Sequence, residues 1–131
     1  MTESPQLMYC ENKTTEDSDM YLFVCTGNTC RSPMAAALFN YLFGQTSKHA
    51  LSAGIAADGS PISEYAVTSL MERGVLPTQD NDYIHHISRK VTSDLISCAK
   101  SVIAISGAHA MELMVRFPEH ATKIGVMPKD I

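Results

Sequence analysis

The stretch from residue 20 to residue 44 constrains this chain more than any other part of its 131 residues. Tyr21-Leu22-Phe23-Val24-Cys25 is an unbroken apolar run, the pattern of a strand buried on both faces. Thr26-Gly27-Asn28-Thr29-Cys30 follows as a turn. Ser32-Pro33 then opens an Ala- and Leu-rich stretch that reads as a helix over 34–43, with Ser32 as its cap and Gly44 as its stop. A strand buried on both faces needs helices above and below its sheet, so the opening unit already demands an α/β architecture.

The remainder of the chain repeats that alternation. Strands are expected over 50–55, 101–105 and 123–127, and helices over 63–73, 92–99 and 109–117, with Gly74 and Pro118 as stops. Residues 76–84 read as a polar loop. The fold expected is α/β: a four-stranded parallel sheet with helices on both faces, in one domain over residues 20–131. Residues 1–19 carry five acids against one base, and the body carries equal numbers of each, so the formal net charge of −4 sits in the leader. That leader is expected to be disordered, because it has too little apolar surface to offset its ordering entropy. A charge-balanced body with no basic stripe argues against a nucleic-acid partner. No apolar run approaches the roughly 20 residues of a membrane span, and no secretion signal precedes the body, so the expected setting is cytoplasmic, with no membrane partner. The four cysteines and five histidines lack zinc-ligand spacings, and neither a metal nor a cofactor is expected.

In open parallel sheets ligands bind beyond the carboxyl ends of the strands, which is where Cys25 to Ser32 lies. A tight turn running into a helix N-terminus brings successive N–H groups to one point, an anion site by construction. Thr26, Gly27, Asn28, Thr29, Cys30 and Arg31 are the candidate phosphate-binding residues, and the planar Arg31 guanidinium can hold two phosphate oxygens at once. Cys25 stands where those dipoles converge, so its thiolate should be stabilised, and the Ser32 hydroxyl can donate to the sulfur. A thiolate facing a bound phosphate is an in-line nucleophile, and its product is a phosphocysteine that water hydrolyses. The bland alternative is a buried strand-end cysteine with an incidental surface arginine.

The run Val24-Cys25-Thr26-Gly27-Asn28-Thr29-Cys30-Arg31-Ser32-Pro33-Met34-Ala35 resembles the signature of the low-molecular-weight protein tyrosine phosphatase family. Ser52-Ala53-Gly54, Gly59-Ser60-Pro61 and His86-Ile87-Ser88-Arg89 fall in that family's order and spacing. The resemblance implies that Cys25 is the nucleophile, Arg31 the phosphate clamp and Ser32 the support for the thiolate. Asn28, Ser52 and His86 would then form the polar network that holds the loop. Cys30 is close enough across the loop to bridge Cys25, and in the family such a neighbour protects the nucleophile by reversible oxidation. The other reading of Cys30 is a small side chain packed under the loop. Cys98 is expected to be packing, and Cys10 has no evident role.

Thr29 bears on the substrate. Tyrosine-directed members resemble one another in a bulkier aliphatic residue there, whereas threonine resembles the bacterial protein-arginine phosphatase branch. An aryl ring gains from an apolar wall and a charged phosphoguanidinium does not, which favours phosphoarginine over phosphotyrosine on a phosphorylated protein. The family also has a late Asp followed by Pro that protonates the leaving group. Here Asp130-Ile131 resembles the residues just upstream of it, so the expectation is a domain incomplete at its C-terminus, lacking that acid and the last helix. The expected activity is a cysteine-dependent protein phosphatase. The alternatives are a catalytically impaired phosphoanion-binding module and, third, an arsenate reductase, which would need a distal cysteine pair.

Overall fold

The computed structural model describes residues 19–128. The acidic leader as far as residue 18, Cys10 within it, and Asp130 lie outside the described residues.

Four parallel strands form one sheet in the order β2-β1-β3-β4: β1 Met20–Cys25, β2 His49–Gly54, β3 Ser101–Ala104 and β4 Ile124–Val126. β1 is interior, which is why its sequence is apolar at every position from Leu22 to Cys25. The helices are α1 Arg31–Leu42, α2 Glu64–Glu72, α3 Ser93–Cys98 and α4 Gly107–Arg116, with short 3-10 turns at Tyr83–His85 and Pro118–Lys123. On one face Leu22, Val24, Val102 and Ile124 pack against Leu95 and Ile96 of α3 and Ala110 and Leu113 of α4. On the other, Phe23 and Ala50 meet Ala36 and Phe39 of α1. α2 joins that layer through Leu70, which clusters with Ala37, Val75 and Tyr83. Each fully buried Leu or Val contributes about 1.5–3 kcal/mol. The α/β expectation, with helices on both faces, holds.

Three helices start on the hydroxyl caps their sequences offer: Ser63 accepts from Ala66 N–H, Thr92 from Leu95 N–H, and Ser106 from His109 N–H. α2 stops at Gly74, whose φ of +82° suits glycine. α1 departs from expectation. It begins at Arg31 rather than after Pro33, its N-cap is Cys30, and no side chain caps it. Ser32 is not a cap but a fully buried residue of the first helical turn. The loop winds directly into the helix, and Pro33 is tolerated because first-turn N–H groups have no intrahelical partner. The segment 76–84 is not uniformly a polar loop either. Tyr83 is buried, and its hydroxyl donates to the Val75 carbonyl.

Candidate active site

The loop between β1 and α1 folds tightly around Asn28, which is fully buried and holds a φ of +58°. Non-glycine residues seldom adopt that region, and asparagine is among those that do. Four hydrogen bonds fix it there. Its N–H donates to Cys25 Sγ at 3.3 Å, and its Nδ2 donates to Ser32 Oγ at 2.8 Å. Its Oδ1 accepts from the Arg89 N–H at 3.0 Å, and its carbonyl accepts from His86 Nε2 at 2.8 Å. Ser32 Oγ stands 2.9 Å from Cys25 Sγ. That oxygen accepts from the Asn28 amide, and its hydrogen has two acceptors in range, the Ala53 carbonyl at 3.5 Å and the nearer sulfur, which takes it when Cys25 is a thiolate. Cys25 therefore ends its strand with two donors on its sulfur, beside a helix N-terminus that no side chain caps.

The segment 86–91 laces the loop to the sheet. Gly54 N–H donates to the Arg89 carbonyl at 2.8 Å, and Val91 N–H donates to the Gly54 carbonyl at 3.0 Å. Arg89 Nε donates to the Ser52 carbonyl at 3.1 Å. Burial pulls the Arg89 pKa down, and it also holds His86 below the usual histidine value. The hydrogen bond to the Asn28 carbonyl opposes that lowering of His86, and the Arg89 charge adds to it. Ser88 Oγ accepts from the Gly59 and Ser60 N–H groups, both at 2.9 Å, and so pins the adjacent 59–61 turn.

Asn28 and His86 thus meet on the loop. Ser52 reaches the network through its main-chain carbonyl, which serves Arg89. It lies inside β2 opposite Phe23, two residues short of the strand end that the loop crosses. Thr26, Gly27, Thr29, Cys30 and Arg31 line the loop; Thr26 and Arg31 are exposed, and Gly27, Thr29 and Cys30 are half-buried. Cys25 and Cys30 are both thiols in this structure, and Cys98 packs against the core.

Three residues to which the sequence assigned no role also belong to the site. Gly54 lies beneath the loop, where an added Cβ would come within 2.5 Å of the Thr26 carbonyl and 2.9 Å of the Asn28 Cβ. Arg89 supports Asn28 through its N–H. His109, nearly buried at the start of α4, places Nε2 2.8 Å from Thr26 Oγ1 and Nδ1 2.7 Å from Ser106 Oγ. Gly54 was visible within Ser52-Ala53-Gly54. His109 had only its three-residue spacing from Ser106 to mark it, a weak signal among five histidines. Among the described residues no cluster of His, Cys, Asp and Glu could hold a metal ion, and no helix is long and apolar enough to cross a membrane.

Comparison with known proteins agrees with this geometry. The family model described as low molecular weight phosphotyrosine protein phosphatase matches residues 20–129. A protein-arginine-phosphatase of Geobacillus stearothermophilus is 42% identical over 105 residues, covering 78% of this chain and 64% of that relative. This chain thus spans less than two thirds of that relative's length. The crystal structure of a low molecular weight protein tyrosine phosphatase from T. tengcongensis superimposes with a TM-score of 0.73 at 34% identity, over 82% of this chain and 71% of that one. An arsenate reductase of Brevibacillus brevis is 31% identical over 114 residues, covering 87% of this chain and 74% of the relative.

Proposed function

The chain belongs to the low-molecular-weight phosphotyrosine protein phosphatase family, and on that premise we propose that it dephosphorylates proteins through a phosphocysteine on Cys25, with phosphoarginine preferred to phosphotyrosine. The observation that carries the reading is the setting of Cys25 Sγ, with Ser32 Oγ at 2.9 Å and the Asn28 N–H at 3.3 Å, beside an uncapped helix N-terminus. The loop N–H groups and the Arg31 guanidinium hold the phosphoryl oxygens, and Sγ attacks phosphorus opposite the leaving group. The S–P bond forms as the P–O or P–N bond breaks, and the departing phenolate or guanidine nitrogen takes its proton from solvent and leaves with the peptide. Water then attacks phosphorus, releases phosphate and returns the sulfur as a thiolate, which the Ser32 hydroxyl stabilises. Asn28, held by His86 and Arg89, keeps the loop in its anion-binding shape. Cys30, at the N-cap of α1, is the partner with which Cys25 would form a disulfide when a peroxide-class oxidant takes up the two electrons, a thiol reductant returning both to thiols. The cytoplasm is the proposed setting.

Thr29 supports the substrate preference, as does similarity to a protein named as an arginine phosphatase. The test is kcat/KM on peptides carrying phosphoarginine or phosphotyrosine, for wild type and Thr29→Ile. Wild type should favour phosphoarginine, and the variant should move the ratio toward phosphotyrosine. A wild-type preference for phosphotyrosine would overturn the substrate assignment, and failure on both peptides would overturn the activity. The arsenate reductase relative favours arsenate reduction as a second reading. That chemistry needs a distal cysteine pair, and beyond the loop and the leader the sequence offers Cys98 alone, packed against the core.

A further inference from the structure

Thr26 and Thr29 are the two hydroxyls on the accessible part of the loop, since Ser32 lies buried beneath it. They are backed from opposite sides. Ser63, the cap of α2, donates its N–H to the Thr29 carbonyl at 2.8 Å. Thr26 is met from the other side by the first turn of α4, through His109 Nε2 at 2.8 Å. Behind the ring, Ser106 Oγ accepts from the His109 N–H at 3.3 Å as the cap of α4 and lies 2.7 Å from Nδ1. An oxygen that already accepts the capping N–H has its hydroxyl hydrogen left to give to Nδ1. In the tautomer with its proton on Nε2, the ring then donates it to Thr26 Oγ1. The Thr26 oxygen is thereby occupied as an acceptor, and its own hydrogen points away from His109, on an exposed side chain immediately after Cys25. Burial lowers the His109 pKa, and the Arg31 charge adds to that lowering.

We propose that Thr26 is an additional hydroxyl donor to the bound phosphoryl group, aimed by a Ser106-to-His109-to-Thr26 hydrogen-bond chain in which His109 is a positioning residue. The inference rests on the anion-binding reading of the loop and adds to its N–H groups and Arg31 a side-chain donor set by α4. Nothing in the chemistry of the thiolate itself depends on it. Thr26 should act through binding of the phosphoryl oxygens, and His109 only through Thr26.

The test uses inorganic phosphate as a competitive inhibitor of aryl phosphate turnover by the full chain. Thr26→Val, exposed and nearly isosteric, should raise the phosphate inhibition constant about tenfold, the loss expected for one hydrogen bond to a charged group. His109→Leu should do the same, and the double variant should be no worse than either single one. His109→Gln, whose Nε2 donor reaches toward Thr26, should recover most of the loss when Thr26 is intact and none of it when combined with Thr26→Val. Unchanged inhibition in Thr26→Val, with wild type still competitively inhibited, would overturn the proposal while leaving the phosphate loop intact. Additive losses in the double variant, or no rescue by Gln, would overturn the positioning role. Absence of phosphate inhibition in wild type would instead overturn the loop reading on which the proposal rests.

Discussion

Replacing Asn28 with alanine isolates what holds the loop. The substitution removes two side-chain hydrogen bonds from a fully buried position, to Ser32 Oγ at 2.8 Å and from the Arg89 N–H at 3.0 Å. Each partner left unsatisfied costs about 1–3 kcal/mol. Alanine at a φ of +58° adds about 1–2 kcal/mol that asparagine escapes by its local hydrogen bonding. The total of roughly 3–8 kcal/mol is a large part of the 5–15 kcal/mol that typically separates folded from unfolded domains. Urea unfolding should therefore show a midpoint lowered by that loss divided by the slope, with the slope itself unchanged. Phosphate inhibition should be lost in conditions where the sheet remains folded. Asn28→Gly, which relieves the backbone strain but not the lost hydrogen bonds, should recover about 1 kcal/mol. An alanine variant within about 0.5 kcal/mol of wild type, the usual range for substitutions away from any structural feature, would refute the assignment of Asn28 as the keystone of the loop. So would a glycine variant no better than alanine.

Other outcomes follow from the same contacts. Gly54→Ala should lower kcat/KM by about a hundredfold, the scale of a misplacement near 1 Å, because its Cβ meets loop backbone that has to move; wild-type kinetics in that variant would contradict the packing. Ser32→Ala should slow hydrolysis of the phosphocysteine about tenfold or more, since the departing thiolate loses a donor, and rapid-quench measurement should find the intermediate accumulating. His86 and His109 are both held below the ordinary histidine value of about 6.5. As pH falls below that value the unfolded chain takes up protons first, so stability should be level above it and should fall on acidification until the folded values are passed. His86→Gln should flatten part of that slope, and stability that rises on acidification across the same window would contradict it.

The sheet was legible because Tyr21 to Cys25 and Ser101 to Ile105 are short apolar runs that leave little else to be, although only β1 and β2 are buried along nearly their whole length while β3 alternates buried and half-buried positions. The helix caps at Ser63, Thr92 and Ser106 were readable as hydroxyls standing before amphipathic stretches. Ser32 looked like a fourth and was not. A serine before proline satisfies the local rule, and only the tertiary position of Cys25 gives its hydroxyl a different partner. Tyr83 was hidden for a similar reason, since a polar neighbourhood concealed one residue anchored to the Val75 carbonyl. The loop itself could be read from Cys25, Gly27, Arg31 and Pro33. Its supports could not, because Arg89 acts through a main-chain N–H and His109 arrives from a helix 83 positions beyond Thr26. Contacts of that kind depend on how the 86–91 segment and α4 meet the strand ends, which no local pattern specifies.

In the proposed reaction Cys25 carries the phosphoryl group. Acid quench of a single turnover with an aryl phosphate, followed by mass analysis of peptides, tests it most directly. The prediction is one phosphoryl group per chain, on the peptide containing Cys25, formed as fast as the aryl alcohol is released and absent from Cys25→Ser on the same timescale. Turnover by Cys25→Ser at the wild-type rate, or label found elsewhere in the chain, would show that Cys25 is not the nucleophile.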